Sequence, residues 1–153
     1  MLFRSTITWD DITWIRRFWQ KKLLIKGVLN VADAERAAAL GCDGIILTNH
    51  GGRQLDYCVS GMDVLPEIAA AVGKRLSVLV DGGFRRGTDV IKAVSLGASA
   101  AMTGRATLYG LASNGERGVE RALEILTTEM ARSMGQLGMN SIADLGPHLV
   151  RRS

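Results

Sequence analysis

The sequence predicts an α/β protein built on a parallel sheet. Two observations carry this: four short apolar runs alternate with helical patterns, and each run is flanked by glycine. Strands buried on both faces read as such continuous runs, and helices between them are the crossovers that parallel pairing requires. A third observation bears on function. Every run ends in a polar or charged residue beside glycine: Lys26-Gly27, His50-Gly51-Gly52-Arg53, Asp81-Gly82-Gly83 and Gly104-Arg105.

In chain order, Thr8 followed by Asp11 marks a helix start ahead of Ile12, Ile15 and Trp19, because such a pair satisfies the free N–H groups of a first turn. Leu23-Leu24-Ile25 is the first strand. Asn30 and Asp33 open an alanine-rich helix that stops at Gly41, and Gly44-Ile45-Ile46-Leu47-Thr48 is the second strand. Ser60 and Asp63 open the next helix, whose Met62, Leu65, Ile68, Ala69 and Val72 share one face, with Gly73 at its C-cap. Ser77-Val78-Leu79-Val80 is the third strand. Val90, Ile91 and Val94 give a shorter helix ending near Gly97, and Ala100-Ala101-Met102-Thr103 is the fourth strand. Residues 115–137 read as a longer helix with Val119, Ala122, Leu123, Leu126, Met130 and Met134 facing inward, and the tail from Gly138 as a short helical or irregular cap.

At 153 residues the chain has room for one ordinary domain with a single core, and no linker or composition break divides it. No apolar run reaches the roughly 18 residues that span a bilayer. Met1-Leu2-Phe3-Arg4 lacks the basic region and apolar core of a signal peptide, so a cytoplasmic protein is expected. Cys42 and Cys58 form no metal or redox motif and are expected as buried free thiols; no metal site is expected. The net charge of +4 comes partly from the pairs Arg16-Arg17, Arg85-Arg86 and Arg151-Arg152. With no nucleic-acid motif and few aromatics, nucleic acid is not the expected partner, and an anionic cofactor accounts for part of the charge.

The strand ends carry the functional reading. In a parallel α/β fold they share one face, and in a TIM barrel that face holds the active site. Taken singly, Lys26 is as well explained by snorkelling, His50 and Arg53 by the surface, and Asp81 with Gly82 and Gly83 by a turn. Four such residues at four strand ends weaken that explanation. Glycine there lets a ligand approach the backbone and leaves N–H groups free to bind it. The segments Asp81-Gly82-Gly83-Phe84-Arg85 and Gly104-Arg105 add two guanidinium groups, which match phosphate in bidentate fashion.

Four stretches carry a resemblance: Leu24-Ile25-Lys26-Gly27-Val28-Leu29, Thr48-Asn49-His50-Gly51-Gly52-Arg53-Gln54-Leu55-Asp56, Asp81-Gly82-Gly83-Phe84-Arg85-Arg86-Gly87 and Gly104-Arg105-Ala106. They resemble the FMN-dependent α-hydroxy-acid dehydrogenase and oxidase family, which includes lactate and mandelate dehydrogenases and glycolate oxidase. The likeness begins near Ile7-Thr8-Trp9 and runs almost to the end of the chain. The stretch Thr107-Leu108-Tyr109-Gly110-Leu111-Ala112 looks most like the bacterial mandelate and lactate dehydrogenases.

The resemblance implies that residues 1–153 form the C-terminal half of a TIM (β/α)8 barrel, units five to eight, with FMN as cofactor. It implies oxidation of a small L-2-hydroxy acid, lactate- or mandelate-like, to the 2-oxo acid. Lys26 would lie by the N1/O2 edge of the flavin, stabilising developing negative charge. Thr48 would hydrogen-bond the flavin, at a position usually Ser. His50 would be the general base, and Arg53 would clamp the substrate carboxylate. Asp81, Gly82, Gly83, Phe84 and Arg85 would hold the ribityl chain and phosphate, and Gly104 and Arg105 would complete the phosphate cradle. The electron acceptor stays open among quinone, cytochrome and oxygen. An absent half would supply the strand ends under the flavin ring, substrate-binding tyrosines, a second arginine and the aspartate that orients the histidine. The family's membrane-binding or mobile loop would also precede Met1, so peripheral attachment to the inner membrane belongs to the expectation. Three readings of the half barrel follow: a truncated product, a partner for a separate N-terminal half, or a homo-oligomeric pseudo-barrel. The alternatives to an enzyme half are a non-catalytic FMN- or phosphate-binding half barrel and an inactive remnant; another phosphate-binding TIM enzyme, such as an isomerase, is a further reading.

Overall fold

The computed structural model describes residues 6–151. The Met1-Leu2-Phe3-Arg4 stretch and Arg152 of the last arginine pair lie outside the described residues. The elements are α1 (Trp9–Phe18), β1 (Leu24–Val28), α2 (Val31–Ala39), β2 (Gly44–Leu47), α3 (Gly61–Val72), β3 (Ser77–Asp81), α4 (Gly87–Ser95), β4 (Ala100–Met102) and α5 (Arg105–Gln136), followed by 3-10 turns at Ile142–Asp144 and Pro147–Leu149.

The helix starts form as their sequences dictate. The Asp11 carboxylate accepts the Thr8 N–H at 2.6 Å, and Asn30 Oδ1 accepts the Asp33 N–H at 2.8 Å. Ser60 and Asp63 close a reciprocal box, each carrying one 3.2 Å bond to the other's backbone N–H. Gly41 (φ 75°) and Gly97 (φ 105°) take left-handed conformations just past α2 and α4. Gly73 caps α3 in a right-handed conformation instead (φ −60°), its N–H bonding Ala69 O at 2.9 Å.

The four strands are parallel and lie in sequential order, β1-β2-β3-β4. A doubly wound sheet reverses its order at a switch point, whereas a (β/α)8 barrel does not; this sheet is half of such a barrel. Pairing puts register partners on one face. Ile25, Ile45 and Val78 form one row and Leu47 with Val80 another. Ile45, Leu47, Val78 and Val80 are fully buried in one core with Leu65, Ile68 and Val72 of α3. The other face carries Leu24, Lys26, Ile46, Leu79 and Asp81 and is left uncovered, Leu24 being exposed. A 16.5 kDa monomer is expected to expose about 7,600 Å², and this chain exposes 10478 Å². The excess is what an open half barrel must show.

Several sequence expectations need correction here. β1 runs to Val28 rather than stopping at Ile25. It is an edge strand whose Lys26 faces the open side, so a count of apolar residues ends it early. Its pairing with β2 shifts between Lys26 and Val28, a bulge centred on Gly27 (φ 99°). The last helix begins at Arg105, ten residues before the expected 115, and breaks at Asn114 and Gly115, whose φ of 57° suits glycine. Gly110 and Gly118 bring the two segments into backbone contact, with no room for a Cβ on either. Of the expected inward residues Leu126 is buried, Val119, Ala122, Met130 and Met134 are half-buried, and Leu123 is exposed. Cys42 is a buried free thiol, while Cys58 is only half-buried.

The opposite end of the sheet is held by charge. The Asp43 carboxylate accepts Lys22 Nζ at 2.8 Å, the Leu23 N–H at 3.0 Å and Arg16 at 3.1 Å, tying α1 and the start of β1 to β2. Chiefly through the Lys22 hydrogen bond, and then the Leu23 N–H, its pKa falls from 3.8 to about 2. A folded pKa below the unfolded one stabilises above the unfolded value and loses that effect as the pH falls. The stability advantage of the parent chain over Asp43→Asn should therefore be full above pH 3.8 and vanish near pH 2. Urea unfolding midpoints of the two chains across that window test it; a constant difference would show that Asp43 ionisation is not coupled to folding.

Candidate functional site

The C-terminal strand ends surround a cavity of about 400 Å³ lined by Lys26, His50, Gly51, Arg53, Gln54, Asp81, Gly82, Gly83, Gly104, Arg105 and Leu108. All four strand ends therefore reach one site, and named contacts bind them together. Lys26 Nζ meets Asp81 Oδ2 at 2.7 Å, joining β1 to β3. The His50 ring lies against β1, its Cε1 3.4 Å from where a Cβ on Gly27 would stand. Arg105, at the start of α5, comes within 3.3 Å of the corresponding point on Gly51.

The loop after β2 aims the histidine. His50, Gly51 and Gly52 all adopt left-handed conformations, with φ 58°, 71° and 72°, and His50 is the one residue of the three that carries a Cβ penalty. Side chains supply the acceptors the turn needs. Thr48 Oγ1 accepts the His50 N–H and Asn49 Oδ1 the Gly51 N–H, both at 3.0 Å. The loop after β3 supplies backbone. Gly82 (φ 113°) and Gly83 (φ 82°) present left-handed peptide units to the cavity, and around Gly83 and Gly104 a Cβ would meet nothing within 4 Å. That open space over glycine, beside a helix start and a guanidinium, is what a phosphate requires.

The charge balance is cationic. Lys26 is paired with Asp81, but among the described residues neither Arg53 nor Arg105 has a carboxylate partner. Two unneutralised guanidinium groups in one cleft suit a ligand with two anionic ends, or two anionic ligands.

Eight of the residues singled out in the sequence meet in this cavity: Lys26, His50, Arg53, Asp81, Gly82, Gly83, Gly104 and Arg105. Three do not line it. Thr48 is 1% exposed and spends its hydroxyl on protein groups. Phe84 is buried in the core and borders a separate pocket of about 240 Å³ beside Met62 and Lys92. Arg85 is exposed, and its N–H, like that of Arg86, bonds the Asp89 carboxylate at the start of α4. Gln54 and Leu108 were not singled out. Gln54 follows the histidine motif directly, whereas Leu108 lies in the unexpected first segment of α5.

A family model described as FMN-dependent dehydrogenase matches residues 1–152. The (S)-mandelate dehydrogenase of Pseudomonas putida is 49% identical over 143 residues, 94% of this chain and 36% of that protein. An L-lactate dehydrogenase of Caulobacter vibrioides is 47% identical over 143 residues, 94% of this chain and 37% of its own length. A crystal structure of the monotopic membrane protein (S)-mandelate dehydrogenase superposes with a TM-score of 0.94 at 46% identity, covering 98% of this chain and 40% of that one. The chain thus spans well under half the length of the proteins it matches.

Proposed function

The chain belongs to the FMN-dependent dehydrogenase family, and from that membership we propose that it supplies half of the active site for oxidising an L-2-hydroxy acid, of the lactate or mandelate kind, to the 2-oxo acid. The observation that carries this is the convergence of His50, Arg53, Lys26 and Arg105 in one glycine-walled cavity. The reaction removes two electrons and two protons from the substrate. FMN, when bound, accepts the two electrons and one proton, the other proton going to His50.

The chain's own residues do the rest. Gly82, Gly83, Gly104 and Arg105 fit a phosphate, given the open space above Gly83 and Gly104 and the guanidinium without a carboxylate partner, so this end of the cavity would hold the phosphate of FMN. Asp81, with one oxygen engaged by Lys26, has a second with which to accept a hydroxyl. Lys26 places a cation where negative charge develops. Arg53 binds the substrate carboxylate through its planar fork, and His50 takes a proton from the reacting carbinol at a ring nitrogen. Among the described residues no carboxylate hydrogen-bonds that ring, so its orientation comes from the turn that carries it. The uncovered sheet face and the two free edge strands are the seat of four further β/α units, which would complete the barrel. No helix among the described residues is long and apolar enough to cross a membrane; the likeness to a monotopic membrane protein supports peripheral attachment to a membrane surface.

Equilibrating the chain with FMN, removing the excess and recording the visible spectrum tests the phosphate assignment. Arg105→Ala should lower FMN affinity by about 10-fold to 100-fold, the loss of a charge-assisted hydrogen bond. Undiminished affinity would remove Arg105 from the cradle. The short coverage of the relatives favours a second reading, in which the chain alone binds FMN without turnover. Bound flavin that lactate or mandelate bleaches only after an N-terminal half is added would support it.

A further inference from the structure

The buried Thr48 hydroxyl is engaged by the protein on both its donor and its acceptor side. It accepts the His50 N–H at 3.0 Å and faces Asp81 Oδ2 at 3.4 Å, as donor to the same oxygen that Lys26 reaches at 2.7 Å. A hydroxyl has one proton to give, and here a carboxylate takes it. Its acceptor side is aimed at the first peptide of a left-handed turn, where His50 holds a φ of 58° against its own Cβ. The ring that this peptide carries rests over Gly27, the one position on β1 where the backbone bulges and no side chain intervenes.

We infer that Thr48 is a positioning residue: its hydroxyl fixes the backbone of His50, and with it the imidazole over Gly27, and ties that pose through Asp81 to the ammonium of Lys26. The proposal rests on the reading of His50 as the base for its importance, but not for its geometry. It makes the hydroxyl at position 48 a strut between two cavity groups. Serine keeps the strut, and valine, equal in shape, removes it. The imidazole and the ammonium are then set relative to each other before any ligand enters.

Nuclear magnetic resonance on the isotopically labelled full chain, without flavin, tests this. The chain has two histidines, His50 and His148, so the ring proton on His50 Cε1 is readily assigned. The parent and Thr48→Ser should show a cross-relaxation peak between that proton and the Gly27 α-protons. Thr48→Val should lose it while the amide shifts of β2 and β3 stay in place. A Thr48→Val chain that keeps the peak overturns the proposal. Should Thr48→Val not fold, hydrogen exchange in the parent decides: the His50 amide should exchange roughly tenfold more slowly than an unprotected peptide, and free exchange overturns the proposal. Because no flavin or turnover is involved, failure here leaves the proposed oxidation standing, and failure of FMN binding leaves the strut standing.

Discussion

In a completed barrel, His50→Ala should slow bleaching of the bound flavin by lactate or mandelate by about 10²-fold to 10⁴-fold, the usual contribution of a positioned general base, and should leave FMN bound. The separation follows from where the contacts lie. His50 lies over Gly27 and is held through Thr48, whereas the glycine-rich loops and Arg105 form the end of the cavity proposed to take the phosphate. Rapid mixing of flavin-loaded parent and variant with substrate gives the rate, and the flavin spectrum after gel filtration gives retention. A variant that bleaches at the parent rate would take the base role away from His50. One that loses both flavin and rate would show that the histidine holds the cofactor instead.

Leu65→Ala should destabilise the chain by about 2–5 kcal/mol, the range for emptying a fully buried leucine site. Leu65 is 0% exposed and shares the core with Leu47 and Val80, whose strands end at the cavity. With a urea dependence of about 1–3 kcal/mol per molar, the unfolding midpoint should fall by roughly 1–2 M. A shift under about 0.5 M would mean that α3 does not lean on the sheet through this residue. The same substitution probes function at a distance. Loosening α3 from β2 and β3 frees the strand ends that carry His50 and Asp81, so FMN affinity should decline along with stability.

Much of this was legible in the residues. Apolar runs found all four strands because each lies between helices that demand buried side chains, and capping residues found the first three helix starts because Asp11, Asn30 and Ser60 make local hydrogen bonds. The failures have physical causes as well. β1 was cut short because an edge strand facing a cleft can carry Lys26 in its middle. The first segment of α5 starts at Gly104, which has no side chain to announce it; Thr107 instead bonds back to Gly104 O at 2.8 Å. Its Leu108, Tyr109 and Leu111 are exposed, so no buried stripe marks it. In the site, the motif reading treated Asp81-Gly82-Gly83-Phe84-Arg85 as one ligand-facing unit. A loop turns over at its glycines, and Phe84 is apolar and drops to the core side. That polarity switch was visible in the sequence, unlike the commitment of the Thr48 hydroxyl, which depends on a carboxylate thirty-three positions away.

The bulge at Gly27 can also be seen as a change of phase. In an unbroken strand residues 26 and 28 would point the same way, yet Lys26 faces the open side while Val28 is 3% exposed in the core beside Leu47. One extra residue thus lets a cation and a core valine share a parity without conflict. Removing Gly27 would leave Lys26 and Val28 adjacent, and adjacent strand residues already point to opposite faces, whereas one more residue inserted beside Gly27 with the bulge kept would put the two out of step, turning an ammonium into the core or a valine into the cleft. Such an insertion would act as a frame error written in side-chain direction, far costlier than the same addition in the exposed loop beyond Arg53.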